Sequence, residues 1–173
     1  MKRIAIDMDE VIADFVSKHL NLFNAQYNEK LSGDDLHGTR LWKIRPHLEK
    51  EILGYVDEPD FFRDLKVMEG SQEVIQELSN FYEIFITTAA MEHPSSFEAK
   101  YEWLKEHFSF LSDRNFVFCG DKSIINADYL IDDSPRHFER FRGQGILFTA
   151  LHNINETGYV RVNDWSEVRN YFL

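Results

Sequence analysis

The chain has 173 residues, enough for one domain with a good core and room for an inserted subdomain. Its 43% hydrophobic content is ordinary for a globular protein, and 15 Phe residues supply bulky material for a core and for ligand stacking. The formal net charge of −11 sets up a field that repels polyphosphate backbones, which disfavours extended nucleic-acid binding but not a small phosphorylated substrate held through a divalent cation. A single cysteine, Cys119, cannot form an internal disulfide and fits a reducing compartment. No apolar run approaches membrane-spanning length and no signal segment precedes Met1-Lys2-Arg3, so the expectation is a cytoplasmic protein with no membrane partner. Nothing in the composition sets an oligomeric state.

In chain order, residues 3–7 read as a first strand. Ile12, Phe15, Val16, Leu20, Phe23 and Tyr27 then recur at three and four residues, the stripe of an amphipathic helix. Ser71 is placed to cap a helix that buries Val74, Ile75 and Leu78. Residues 82–88 form a second strand, apolar almost throughout. Pro94-Ser95 followed by Glu98 reads as a capping box ahead of Phe97, Tyr101, Leu104 and Phe108 at helical spacing. Residues 116–119 and 129–132 give two more strands. Ser134-Pro135 opens a short helix, residues 145–149 are a fifth strand, and residues 159–162 an edge. Asp164 with Glu167 starts a last helix that buries Trp165, Val168 and Phe172.

Strands apolar on both faces and alternating with helices predict an α/β fold, a doubly wound, Rossmann-like parallel sheet. From about Phe15 to Met68 no strand is legible, and the stretch is too long for one crossover. It is expected to be a small helical cap, residues 15–68, inserted after the first strand of a core made of residues 1–14 and 69–173.

In a parallel sheet, ligand sites gather beyond the carboxyl ends of the strands. The strand ends here carry Asp7 and Asp9, then Thr87 and Thr88, then Gly120-Asp121-Lys122, then Asp132 and Asp133. Singly, each has a mundane reading: acidic turns, β-branched strand residues, an exposed turn lysine. Together they converge on one edge, and paired carboxylates one residue apart favour a shared cation. The inventory suits phosphoryl transfer. Carboxylate oxygens hold Mg2+, one carboxylate can attack phosphorus, a second can move the proton of the leaving oxygen, and a threonine and a lysine can bind phosphoryl oxygens. No glycine-rich Walker sequence occurs, which disfavours P-loop chemistry.

Asp7-Met8-Asp9 with Val11, then Thr88, Lys122 and Asp132-Asp133, resemble the four ordered motifs of the haloacid dehalogenase-like phosphatases. The stretches DMDEVIADF, FFRDL, FITT, DKSIINADYLIDD, ILFTALHN and DWSEV resemble, in the same order, segments of one branch, the 5′(3′)-deoxyribonucleotidases, so the resemblance spans essentially the whole chain. It implies that Asp7 is the nucleophile and a metal ligand. Asp9 is then the general acid/base, lending its main-chain carbonyl to Mg2+, while Thr88 binds the phosphoryl group and Lys122 neutralises nucleophile and phosphate. Asp133 completes the metal sphere, with Asp132 behind it or as an alternative ligand. Phe15 matches an aromatic position of the substrate pocket, and Trp42 is expected to be a cap aromatic able to stack on a base.

Three positions depart from the pattern. Glu10 stands where many relatives have glycine. Ala89, beside the phosphoryl group, stands where eukaryotic relatives have serine, and Gly120 where those relatives have arginine. The expected function is Mg2+-dependent hydrolysis of small phosphorylated substrates, (deoxy)nucleoside monophosphates, through an aspartyl-phosphate. The alternatives are a phosphatase for another small phosphate ester and a non-catalytic binding module with the same fold. His93 and His152 receive no role, and His19, His37, His47, His107 and His137 read as surface or helix-boundary residues. Arg40, Lys43 and Arg45 form a basic cluster in the insertion that either guides an anionic substrate or balances Asp34 and Asp35, and Cys119 reads as inert core.

Overall fold

The computed structural model describes residues 1–173. Its strands are Arg3–Asp7 (β1), Ala13–Asp14 (β2), Lys66–Val67 (β3), Glu83–Thr88 (β4), Phe116–Phe118 (β5), Tyr129–Asp132 (β6), Gln144–Phe148 (β7) and Val160–Val162 (β8). Six of them form one parallel sheet in the order β5-β4-β1-β6-β7-β8. The central position of β1 follows from its composition. Ile4, Ala5 and Ile6 are wholly buried, and only a strand covered on both faces and paired on both edges can hold such a run. Ile6 pairs with Ile86 on one side and Ile131 on the other.

Helices cover both faces, as expected of a doubly wound sheet. They are Phe15–Tyr27 (α1), Leu41–Ile44 (α2), Glu49–Gly54 (α3), Ser71–Leu78 (α4), Phe97–His107 (α5) and Trp165–Phe172 (α6). The strand order reverses beside β1: the chain runs outward through β4 and β5, then returns to the other flank of β1 with β6. The crevice at that reversal, beyond the carboxyl ends of β1 and β6, is where an open α/β sheet binds ligands. No helix is long and apolar enough to cross a membrane.

Three local expectations are corrected. The segment between residues 15 and 68 is not free of strand: Lys66–Val67 pairs antiparallel with Ala13–Asp14. Two residues are too short to leave a pattern in sequence, yet this ladder ties the two stems of the insertion together, helped by the Met68 N–H donating to the Ile12 carbonyl (2.8 Å). Gly70, in the left-handed region at φ 79°, caps α4, so Ser71 is its first helical residue and donates its hydroxyl to the Met68 carbonyl (2.7 Å). Pro94-Ser95 opens a 3-10 turn rather than a capping box, and α5 begins at Phe97. By contrast Asp164 does cap α6, accepting from the Glu167 N–H at 2.9 Å.

The insertion has a small core of its own, Leu20, Phe23, Leu36, Leu41 and Ile52, separate from the large cluster around the sheet. Two tryptophans stitch distant segments into that larger core. Trp103 donates to the Leu65 carbonyl, and Trp165 to the Val11 carbonyl, each at 2.8 Å. Trp165 also packs on Phe148 with ring centroids 5.8 Å apart.

Trp165→Ala should therefore lower unfolding free energy by about 3–5 kcal/mol, the cost of emptying a large aromatic site. Trp165→Phe should keep most of the packing and lose about 1–3 kcal/mol for the orphaned Val11 carbonyl. Urea titrations of the two variants give both numbers, and a Trp165→Phe variant as stable as the wild type would remove the hydrogen bond from this account.

Candidate active site

The strand ends bring a dense group of charges out of water. Asp7 ends β1, Asp132 ends β6 with Asp133 next to it, and Lys122 sits in the 3-10 turn that follows β5; all four are buried. The Lys122 ammonium donates to Asp7 Oδ1 and to Asp132 Oδ2, the latter at 2.6 Å. Asp132 is further engaged by His137 Nδ1 on Oδ2 (2.8 Å) and by the Ser134 N–H on Oδ1 (2.9 Å). Both of its oxygens are thus occupied. His137, expected as a surface or helix-boundary residue, ends the short helical turn Pro135–His137, which folds it half-buried over the strand end against this carboxylate.

One ammonium cannot neutralise three carboxylates. Asp7, Asp132 and Asp133 each present an oxygen within 4.8 Å of the others. Burial raises the Asp7 carboxyl pKa to about 7 despite Lys122, and the charges of Asp132 and Asp9 push the same way. Burial likewise raises Asp133 well above the ordinary value, with Asp132, Asp7 and Glu10 adding to it. Asp132 goes the other way: burial opposes its charge, but Lys122 and His137 more than offset it and hold the group low. The protein leaves negative charge uncompensated on Asp7 and Asp133, and hard carboxylate oxygens in that arrangement fit a hard divalent cation.

Asp9 has a different neighbour. Its Oδ2 accepts from Lys100 Nζ at 2.7 Å, and the same ammonium donates to Thr88 Oγ1 at 2.8 Å and lies 4.2 Å from the centre of the Phe62 ring. Its Oδ1 is buried and has no partner. Lys100 is absent from the sequence reading. The available signal was its place within Ser96, Ala99, Lys100, Trp103 and Leu104, the buried face of α5, where a lysine needs a paired ion to be tolerated. Thr88 joins the site, whereas Thr87 turns its hydroxyl toward the Ile6 carbonyl (3.4 Å) and serves the sheet.

Above these groups lies a cleft of about 440 Å³. Asp7, Asp9, Asp133 and Ala89 line it from the core, Phe15 and Trp42 from the insertion; Thr88, Lys122 and Asp132 are buried and do not line it. Of the basic cluster only Arg40 reaches the cleft, its guanidinium 5.2 Å from the centre of the Trp42 ring. Arg45 pairs instead with Glu29 (2.8 and 2.5 Å). His19, expected as a surface or helix-boundary residue, is instead mid-helix, 4% exposed, and lines the cleft, because it falls on the buried stripe of α1 beside Leu20 and Phe23.

Two of the three departures have a visible physical setting. Glu10 adopts φ 61°, the left-handed conformation that favours glycine. Its carboxylate accepts from the Val16 N–H at 2.7 Å, and burial raises its pKa to about 7, against that bond. Gly120 lies against Met91, whose Cβ would stand 3.5 Å from an added Cβ, an ordinary contact.

The charge balance beneath the cleft can be measured through stability. Lys122→Met removes the ammonium shared by two buried carboxylates, Asp7 and Asp132, and should cost about 3–5 kcal/mol. Adding Asp132→Asn removes one of those charges, so the double variant should be more stable than Lys122→Met alone. Denaturant unfolding at neutral pH checks both, and additive losses would show that volume rather than charge sets the cost.

Comparison with known proteins agrees with this geometry. The family model described as 5′ nucleotidase, deoxy (Pyrimidine), cytosolic type C protein matches residues 1–173. A 5′(3′)-deoxyribonucleotidase of Bacillus subtilis is 41% identical over 99% of this chain and 99% of its own. A Staphylococcus epidermidis protein provisionally given the same name is 48% identical over 99% of this chain and 96% of its own. Among solved structures, a haloacid dehalogenase-like hydrolase of Streptococcus pneumoniae superposes with a TM-score of 0.65 at 14% identity, over 100% of this chain and 99% of that one. YfnB of Bacillus subtilis, a HAD-hydrolase solved bound to magnesium, superposes with a TM-score of 0.61 at 12% identity, over 99% of this chain and 98% of that one. These two likenesses concern the fold. The full-length family match and the sequence relatives together show that this chain belongs to the 5′ nucleotidase, deoxy (Pyrimidine), cytosolic type C family and is a phosphoric monoester hydrolase.

Proposed function

We propose that the protein is a Mg2+-dependent phosphatase that hydrolyses (deoxy)nucleoside monophosphates through an aspartyl-phosphate on Asp7. One observation carries this reading: the two carboxylates of the first turn are held by different lysines, Asp7 by Lys122 and Asp9 by Lys100. Their environments separate them into two roles, nucleophile and proton carrier.

In the first half-reaction an Asp7 oxygen bonds to phosphorus, the ester P–O bond breaks, and the leaving oxygen takes a proton from Asp9. In the second, Asp9 removes a proton from water, the water oxygen bonds to the same phosphorus, and the Asp7–phosphorus bond breaks to release inorganic phosphate. Lys122 keeps Asp7 in place and balances its charge. Lys100 and Thr88, already hydrogen-bonded to each other, are placed to receive phosphoryl oxygens. Asp7, Asp133 and the Asp9 main-chain carbonyl would hold Mg2+, which supplies positive charge to the transferring group. Asp132 has no free oxygen and is assigned to orient Lys122.

The segment of residues 15–68 acts as a cap. Phe15 and Trp42 face the cleft from it, and the stacking surface they offer suits a nucleobase. Ala89 keeps the wall beside the phosphate small. The names borne by the relatives support a nucleotide, and the lone buried cysteine suits the cytoplasm.

The decisive assay is a panel of deoxyribonucleoside and ribonucleoside 5′- and 3′-monophosphates, sugar phosphates and end-phosphorylated oligonucleotides with Mg2+. Nucleotides should be the best substrates and oligonucleotides the worst; turnover confined to sugar phosphates would overturn the substrate class. EDTA should abolish activity and Mg2+ restore it, while the larger Ca2+ should bind without supporting turnover. Asp9→Asn should slow hydrolysis of nucleotides by roughly two or more orders of magnitude and that of activated aryl phosphates less, since a good leaving group needs less protonation. Equal losses on both kinds of ester would assign Asp9 a structural role.

A further inference from the structure

His19 is the polar group at the aromatic end of the cleft that the reaction scheme leaves without a task. It projects from α1 among the rings of Phe15, Tyr55, Phe61 and Trp42, with centroid separations of 5.1, 5.7, 6.0 and 6.4 Å. Its Nε2 lies 2.8 Å from the main-chain carbonyl of Ile52 in α3. A carbonyl can only accept, so Nε2 carries the proton, and the neutral ring must then present Nδ1 as a bare acceptor. Burial lowers the imidazole pKa against that hydrogen bond, and the charge of Arg40 adds to the shift, so the ring stays neutral.

Nδ1 makes no hydrogen bond to the protein. Nor is it sealed away: the buried polar atoms without partners are Asp9 Oδ1 and His152 Nδ1. A histidine so enclosed, lining the cleft and fixed in one tautomer by the scaffold, offers a single directed acceptor beside stacking surfaces. An ionised phosphate has only acceptors to show it and would be repelled. A flat heterocycle between the rings brings N–H groups on its edge, and each common nucleobase has at least one.

We propose that His19 is a specificity-determining residue whose Nδ1 accepts a hydrogen bond from an edge N–H of the nucleobase lying against Phe15 and Trp42. The proposal rests on the nucleotide reading given above. It selects for the presence of a donor on the base rather than for one base, and it rejects analogues that leave the nitrogen unpaired.

The test compares kcat/KM for thymidine 5′-monophosphate with that for its 2,4-difluorotoluene isostere, which keeps the shape of thymine and has no N–H. Both substrates are run on wild type, His19→Phe and His19→Gln. Each ratio is taken within one protein, so a general loss of folded enzyme cancels. The wild-type preference for the natural base should fall by about five- to tenfold in His19→Phe, the value of one neutral hydrogen bond, and chiefly through KM. His19→Gln, able to donate to the Ile52 carbonyl and still offer an oxygen, should retain most of it. An unchanged ratio in His19→Phe overturns the proposal, and a wild-type ratio near one does so without any variant. Wild-type enzyme that hydrolyses sugar phosphates but neither nucleotide would instead overturn the nucleotide reading itself.

Discussion

The structure turns on one constraint: three carboxylates and a lysine must be kept out of water at the end of the central strand. Lys122 is shared by Asp7 and Asp132 and has no exposure of its own. Burying such charges costs several kcal/mol for each ion unless geometry and further hydrogen bonds compensate. The compensation is distributed unevenly. Asp132 takes Lys122, His137 and a main-chain N–H, so it is fully satisfied, while Asp7 and Asp133 are left short of positive charge. The apolar run Ile4-Ala5-Ile6 and its neighbours on β4 and β6 provide the rigid platform against which this imbalance can be held. An imbalance held rigidly is what a cation site and an anionic substrate require.

The same logic separates the two aspartates of the first turn. Met8 turns into the core between them, so Asp7 and Asp9 look toward different partners although one residue lies between. Asp9 is served by α5 through Lys100, which also holds Thr88 at the end of β4 and rests on Phe62. One lysine thereby couples the turn after β1, the end of β4 and the aromatic wall of the cleft. A lysine stem packed along an apolar helix face with its charge paired at the tip is an economical way to carry a cation through a core.

Much of the fold was legible because its signals are local. Strands buried on both faces give unbroken apolar runs, and the alternation with amphipathic helices leaves few topologies open. Asp7, Asp9, Thr88, Lys122, Asp132 and Asp133 could be listed as candidates because each ends a recognisable strand or follows one. The rest depends on contacts between distant segments. Lys100 lies mid-helix in Glu98-Ala99-Lys100-Tyr101, where a charged residue ordinarily faces solvent, and only its contacts with Asp9 beyond β1 and Thr88 at the end of β4 show otherwise. The burial of His19 is hidden for the same reason, since a histidine is compatible with either side of a helix. The pairing of Ala13–Asp14 with Lys66–Val67 joins residues more than fifty positions apart through two-residue strands, too short for any period to register.

The turn that carries Asp9 shows how far the site depends on the whole chain. Glu10 occupies the left-handed region, a conformation that costs a non-glycine residue of order 1–3 kcal/mol and persists only where surroundings over-determine it. Those surroundings can be named. The Glu10 N–H donates to the Ala13 carbonyl (2.8 Å) and the Ile12 N–H to the Met8 carbonyl (3.0 Å), closing the loop on itself. The Glu10 side chain then accepts from Val16 at the start of α1, and Trp165, near the far terminus, clamps the Val11 carbonyl. The insertion grows out of this loop through the ladder at Ala13 and returns to it at Val67. Asp7, Asp9 and the insertion therefore share one strained turn, whose shape is fixed from the core by α6 and from the insertion by α1. A displacement of the insertion cannot leave Asp9 unaffected, because the ladder at Ala13 and the Glu10 contact with Val16 tie both to the same turn.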